Sequence, residues 1–177
     1  TPLQLCTYAA TLANNGNRPR ATIVSKITDY TRETVKDEIE LEIVDNVGVS
    51  DENLAYVKAG MEAVITEGSA RSTLGNYPGK IAGKTGTAER SSGSDNVTFI
   101  GYAPADDPQI AFAVVLDHGS SGTYCQNVVR DILDAYFYDA EVGDDGVIRT
   151  ESERRQAAAQ NGDAASRNGG TSSAAQA

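Results

Sequence analysis

Cysteine and histidine are scarce in this chain, with two of the first and one of the second among 177 residues. Cys6 and Cys125 are too few for a disulfide framework, and no C-x-x-C or Cys/His cluster has the spacing of a zinc site. They read as small buried apolar residues. His118 is the only histidine, so a Ser-His-Asp mechanism would have to use it, and no G-x-S-x-G elbow accompanies it. It reads as a loop residue ending a strand. Basic residues are also in deficit: 15 Lys and Arg against 25 Asp and Glu leave a net charge of −10. That balance argues against nucleic acid, because phosphate binding needs clustered cations. No run approaches the ~18 apolar residues of a membrane span. The chain opens at Thr1 with no methionine and no signal peptide, and reads as a piece of something longer. What is present is a 40% apolar content, enough to fill the core of about one domain.

Along the chain, Thr1-Pro2-Leu3-Gln4 is a helix start, with Thr1 as N-cap, proline in the first turn and Gln4 completing a capping box. Leu5, Ala9, Leu12 and Ala13 share a helical face, Gly16 suits a left-handed cap, and Asn14 to Pro19 reads as a loop. From Thr22 the period becomes two. Ile23, Ser25 and Ile27 form one face of a strand. After a turn near Tyr30–Glu33, Val35, Ile39, Leu41 and Ile43 alternate with Lys36, Glu38, Glu40 and Glu42, as in a half-buried strand with a solvated acidic face. The acidic run is therefore surface, not a metal site.

Ser50 caps a second helix whose stripe is Leu54, Val57, Met61, Val64 and Ile65, with Gly68 stopping it. Met61 and Tyr56 read as core filling. Ser69 to Gly79 is a polar loop leading into a central strand, Ile81 to Ala88, in which Gly86 allows close backbone approach. Two more strands follow: Val97–Tyr102, and Gln109–Leu116, whose apolar run suggests burial on both faces, with a tight turn at Asp106-Asp107-Pro108. A third helix carries Val128, Val129, Ile132, Leu133, Tyr136 and Phe137 in two adjacent rows. The order of elements implies an α/β layer, an antiparallel sheet flanked by helices. The domain is expected to occupy residues 1–146. The rest, 147–177, shades beyond about Thr150 into Ala, Ser, Gly, Gln and Asn with no apolar period, and is expected to be a disordered tail.

The residues that carry chemistry are Lys84-Thr85-Gly86, a K-T-G triplet followed by Thr87-Ala88-Glu89. Three stretches in order resemble the C-terminal half of the transpeptidase domain of class B penicillin-binding proteins. The first is Thr1-Pro2-Leu3-Gln4-Leu5 with Tyr8-Ala9-Ala10 and Leu12-Ala13-Asn14-Asn15-Gly16. The second is Ala82 to Glu89. The third is Phe99-Ile100-Gly101-Tyr102-Ala103-Pro104 with Ile110 to Val115. The resemblance runs from residue 1 to about 139. It implies an antiparallel sheet sandwiched by helices, and serine acyl transfer on the D-Ala-D-Ala end of peptidoglycan stem peptides, a site that β-lactams block.

By that resemblance, Lys84 would keep the site electropositive, and the Thr85 and Thr87 hydroxyls would bind the substrate's carboxylate. The Thr87 N–H would be an oxyanion-hole donor, and Gly86 would leave room for the acyl group. No metal or organic cofactor is implied. The implied partners are the stem peptide, β-lactams, the N-terminal half of the domain and a membrane glycosyltransferase acting through the full-length protein. The implied location is the outer face of the cytoplasmic membrane, in the cell envelope.

The chain departs from the family in one respect that bears on activity. No serine is followed by lysine three residues later, so the S-x-x-K nucleophile of the family is not here, and the stretch by itself is expected to be inactive. Ser94-Asp95-Asn96 spells a motif of some relatives, but it follows the K-T-G instead of preceding it and reads as coincidence. The strands that pair beside Gln109–Leu116 in the family are also upstream, which would leave that strand as an open edge. Other readings on the same fold are a D,D-carboxypeptidase, a serine β-lactamase or a non-catalytic penicillin-sensing receptor domain. A water-positioning glutamate ahead of the K-T-G would mark a β-lactamase, and no convincing candidate is present.

Overall fold

Helix α1 (Pro2–Ala13) begins where the local chemistry directs: the Thr1 hydroxyl accepts from the Gln4 N–H, and the Gln4 side chain reaches back to the Thr1 backbone. Two donors that a helix start leaves open are thereby satisfied reciprocally. The chain leaves α1 through Asn15 and Gly16, both at positive φ (51° and 83°). The computed structural model describes residues 1–142, 147–150 and 153. It divides into two compact units, Thr1–Val129 and Arg130–Ala177.

In the first unit the order continues β1 (Asn17–Pro19), β2 (Lys26–Thr28), β3 (Val35–Glu38), β4 (Ile43–Asn46), α2 (Asp51–Thr66), α3 (Arg71–Leu74), β5 (Ala82–Ala88), β6 (Asn96–Ala103) and β7 (Ile110–Leu116). Helix α4 (Gly122–Tyr138) runs from the first unit into the second. There, β8 (Glu141–Val142) and β9 (Ile148–Arg149) form a short antiparallel pair. Apart from 147–150 and Glu153, the low-complexity tail lies outside the described residues.

The main sheet is β5-β6-β7, antiparallel throughout, as the expected fold class requires. Helix α1 lies against β6 and β7, and α2 against β5. Leu12, Leu54, Met61, Ala82, Tyr102 and Ala105 make their common core. On the other face of β6, Phe99 stacks with Phe112 at a centroid distance of 5.8 Å. The Cys125 thiol of α4 donates to the Val97 carbonyl, and the Cys6 thiol of α1 to that of Ala111. Both cysteines are free, and burial pushes both thiols up.

Several expectations are corrected. The strand buried on both faces is β6, whose last five residues are all buried. In β7 only Phe112 and Val114 are buried and Val115 is exposed, because β7 forms an edge of the sheet among the described residues. β5 forms the other edge and is not central. Asn17–Pro19, expected as loop, pairs with Ile43–Asn46.

The long strand from Val35 breaks after Glu38, and its two pieces join different two-stranded ribbons. Val35, Ile39, Leu41 and Ile43 are exposed, and Ile23 is fully so. A two-stranded ribbon has no second layer of its own, so alternation along it defines a face without burying it. Tyr56 and Val57 also point outward, since the helical phase of α2 buries Leu54, Met61 and Ile65 instead. Of the two apolar rows on α4, Val129 and Leu133 are buried while Val128, Ile132 and Tyr136 are exposed. The stretch after Ser69 is no simple polar loop: it holds α3 and buries Ala70, Leu74 and Tyr77.

Candidate active site on the free edge of β5

Strand β5 carries the K-T-G run along an edge with no strand partner on its outer side among the described residues. Its inner side is zipped to β6 in unbroken register, Lys84 opposite Ile100, Thr85 opposite Phe99, Gly86 opposite Thr98 and Thr87 opposite Val97. Side chains alternate along a strand. Thr85 and Thr87 therefore share one face, and Lys84 and Gly86 the other. Lys84 and Thr87 are exposed, Thr85 and Gly86 half-buried.

Electrostatics separate Lys84 from its neighbours. Lys80 is held by Asp106 at 3.2 Å and Arg90 by Asp117 at 2.7 Å. Lys84 makes no ion pair among the described residues, and its Nζ donates to the Thr85 carbonyl at 2.9 Å. In a chain of net charge −10, this leaves an unneutralised ammonium on the strand edge. A compact charge with three donors suits an anion or a polar hydroxyl.

The glycines of β5 differ in what they permit. A Cβ on Gly83 would lie 2.6 Å from the Phe99 ring, so Gly83 is glycine for packing. At Gly86 the nearest atom to such a Cβ is Thr98 Cβ at 3.6 Å, an ordinary contact. The close-approach role expected at Gly86 therefore belongs to Gly83, while Gly86 is uncrowded. A ligand lying along this edge would have the Lys84 ammonium on one side and the two threonine hydroxyls on the other.

One contact was not foreseen. Ser69 Oγ lies 3.1 Å from Thr85 Oγ1. Ser69 sits just past the end of α2, where Glu67 and Gly68 both donate to the Ala63 carbonyl and Ala70 donates to Val64. A Cβ on Gly68 would lie 2.8 Å from Val64 Cα, so only glycine allows this tight exit. The sequence hint was a serine directly after the helix-stopping glycine, but nothing local shows that it meets a strand 16 residues on.

Ser94-Asp95-Asn96 serves the loop between β5 and β6. The Ser94 carbonyl is 3.1 Å from His118 Nδ1, Asp95 accepts from the Arg90 N–H, and Asn96 Oδ1 accepts from the His118 N–H and the Arg90 guanidinium. His118 follows the end of β7 at φ 53°. Two open grooves lie elsewhere, one beside α1, β1 and β4 and one near the β6–β7 turn, and neither includes Lys84–Thr87. Among the described residues no group of His, Cys, Asp and Glu could hold a metal ion. No described helix is long and apolar enough to cross a membrane.

Residues 1–134 match the family model of the penicillin-binding protein transpeptidase domain. The chain is 32% identical over 156 residues to penicillin-binding protein 2A of Bacillus subtilis, covering 77% of this chain and 22% of that protein. Its fold is similar to penicillin-binding protein 2B of Streptococcus pneumoniae strain R6, with a TM-score of 0.68 and 32% identity over 77% of this chain and 24% of the other. It is also similar to an imipenem acyl-enzyme complex of penicillin-binding protein A from M. tuberculosis, with a TM-score of 0.67 and 25% identity over 77% of this chain and 30% of that one. The chain belongs to the penicillin-binding protein transpeptidase family, and the resemblance to the C-terminal part of the class B domain holds. It spans about a fifth of the length of the curated relatives it matches.

Proposed function

We propose that this chain is the K-T-G-bearing part of a peptidoglycan D,D-transpeptidase, with residues 1–146 forming the C-terminal half of the catalytic domain. The observation that carries the reading is the edge of β5. A lysine with no ion pair among the described residues, two hydroxyls on one face and an uncrowded glycine stand together on a strand with no outer strand partner among the described residues. The nucleophilic serine and its lysine base come from the upstream half. The serine oxygen bonds to the carbonyl carbon of the penultimate D-Ala, the peptide C–N bond breaks, and the terminal D-Ala leaves with a proton. An amine from a second stem peptide then attacks the ester and releases the serine.

In that sequence the Thr85 and Thr87 hydroxyls hold the leaving residue's carboxylate. Lys84 stabilises negative charge nearby and donates to the polar groups of the upstream half. The Thr87 N–H helps hold the oxyanion, where a single donor is worth roughly 3–4 kcal/mol. β-Lactams carry a carboxylate in the same relation to their reactive carbonyl, and relatives form acyl-enzymes with them. Serine acylation needs no metal or organic cofactor. On this reading the reaction runs at the outer face of the cytoplasmic membrane, and a membrane glycosyltransferase is a partner through the full-length protein.

The test is acylation of the complete domain by a fluorescent penicillin. Lys84→Ala and Thr87→Ala are expected to slow it at least tenfold with the unfolding midpoint preserved. Wild-type rates in both variants would remove the K-T-G edge from the chemistry.

A further inference from the structure

We propose that Ser69 is a positioning residue for the carboxylate subsite: its hydroxyl donates to Thr85 Oγ1 and so aims the Thr85 hydroxyl proton outward at the bound carboxylate. The inference rests on the carboxylate-binding reading of Thr85 given above and adds to it a residue outside the K-T-G motif.

A hydroxyl has one proton and two acceptor positions. The two oxygens are 3.1 Å apart, and either could donate across that distance. If Thr85 donates to Ser69, its only proton is spent and it can offer a carboxylate nothing but lone pairs. If Ser69 donates, Thr85 keeps its proton free. An incoming carboxylate selects the second arrangement, because an ionised carboxylate only accepts. A hydroxyl that is itself accepting a hydrogen bond is also a better donor, since chains of hydrogen bonds polarise one another.

Ser69 is fixed well enough to set that direction. The Gly68 exit from α2 leaves its backbone little freedom. Its carbonyl accepts from Gln126 Nε2 at 3.5 Å, and Gln126 is 3% exposed in the first turns of α4. The other end of that amide, Gln126 Oε1, is buried without a hydrogen-bond partner among the described residues. A buried polar atom left in that state is costly. Thus α2 and α4 both bear on one serine, and through it on the Thr85 rotamer.

The test uses this chain together with the upstream half of its domain, and compares acylation by benzylpenicillin with acylation by its methyl ester, which has no carboxylate. Ser69→Ala is expected to slow the acid about fivefold to tenfold, the size of one lost hydrogen bond, and to leave the ester within about twofold. Ser69→Thr keeps the hydroxyl and restores the acid rate. The double variant Ser69→Ala/Thr85→Ala is expected to be no slower than Thr85→Ala alone, because Ser69 acts only through Thr85. Equal losses on acid and ester, or multiplying losses in the double variant, would overturn the proposal and leave Ser69 as scaffold. Thr85→Ala is the control for the underlying reading. If it slows acid and ester alike, the carboxylate assignment of Thr85 falls and this proposal falls with it. If Thr85→Ala discriminates and Ser69→Ala does not, only this proposal is lost.

Discussion

Gly83 and Gly101 face each other across β5 and β6 as direct register partners, and neither has room for a side chain. A Cβ on Gly83 would press on the Phe99 ring, and one on Gly101 would run into the Ala82 carbonyl and stand 2.7 Å from the Phe112 ring. The pair lets two aromatic rings lie over the sheet one residue from the K-T-G. Gly86, three residues on, has no such neighbour. Glycine is therefore present on β5 for two separate reasons.

The first prediction separates them. Gly83→Ala and Gly101→Ala are expected to destabilise the domain by about 1–3 kcal/mol through overpacking. Gly86→Ala is expected to leave stability within about 0.5–1 kcal/mol of wild type, with any change favourable, because glycine is a poor residue in a strand interior. It should nevertheless slow penicillin acylation, by intruding on the ligand's path. Denaturant unfolding and labelling rates on the same three proteins check both halves.

Tyr102 gives a second prediction. Its residue is fully buried, and its hydroxyl has no hydrogen-bond partner among the described residues. Burial, helped by the charge of Glu62, pushes the phenol up from 10.0 to about 12. A group held protonated by folding binds more protons in the native state, so stability falls as pH rises. The loss attached to Tyr102 starts near the unfolded value of 10.0 and is complete above about 12. Tyr102→Phe is expected to remove this alkaline component and to be neutral or stabilising at pH 7, since it deletes a buried unsatisfied hydroxyl. Unfolding midpoints of the two proteins at pH 7 and pH 11 test it: parallel losses would contradict the account.

The third prediction concerns the open edge of β7. Val115 is exposed on a strand that has no outer partner among the described residues, and such an edge invites pairing between molecules. The isolated chain is expected to aggregate. Val115→Lys is expected to raise its soluble fraction, read by light scattering at matched concentration, and an unchanged fraction would put the aggregation elsewhere, with the exposed Ile23 and Leu41, in the segments flanking the ribbon strands, next in line.

What the sequence made legible was local or strongly periodic. The capping box of Thr1 and Gln4 is decided within four residues, and the Leu54–Met61–Ile65 stripe by helical phase. The K-T-G could be placed on a strand because Ile81-Ala82 before it and Thr87-Ala88 after it are residues a strand accepts. What stayed hidden depends on neighbours far along the chain. An apolar run like Ile110–Leu116 looks buried on both faces, but its burial is set by whether another strand lies outside it. The alternation from Val35 to Ile43 is real, yet it is split between two ribbons and leaves Val35, Ile39, Leu41 and Ile43 exposed. Likewise, the glycine that packing demands could not be told from the one it does not. Gly83 and Gly86 differ only in what the opposite strand places over them, Phe99 in one case and Thr98 in the other. Ser69 was missed for the same reason, since its partner is set by how α2 meets β5.

The central claim is that this chain completes an acylation site whose nucleophile lies upstream. Its most direct test is fluorescent-penicillin labelling of this chain alone, and of this chain co-expressed with the upstream half of its domain, with the label located by mass spectrometry. The account predicts no label on the chain alone, and in the mixture a label on the upstream polypeptide that Lys84→Ala weakens. A label on this chain by itself would contradict it, and would direct the search for a nucleophile first to Ser94 in the β5–β6 loop.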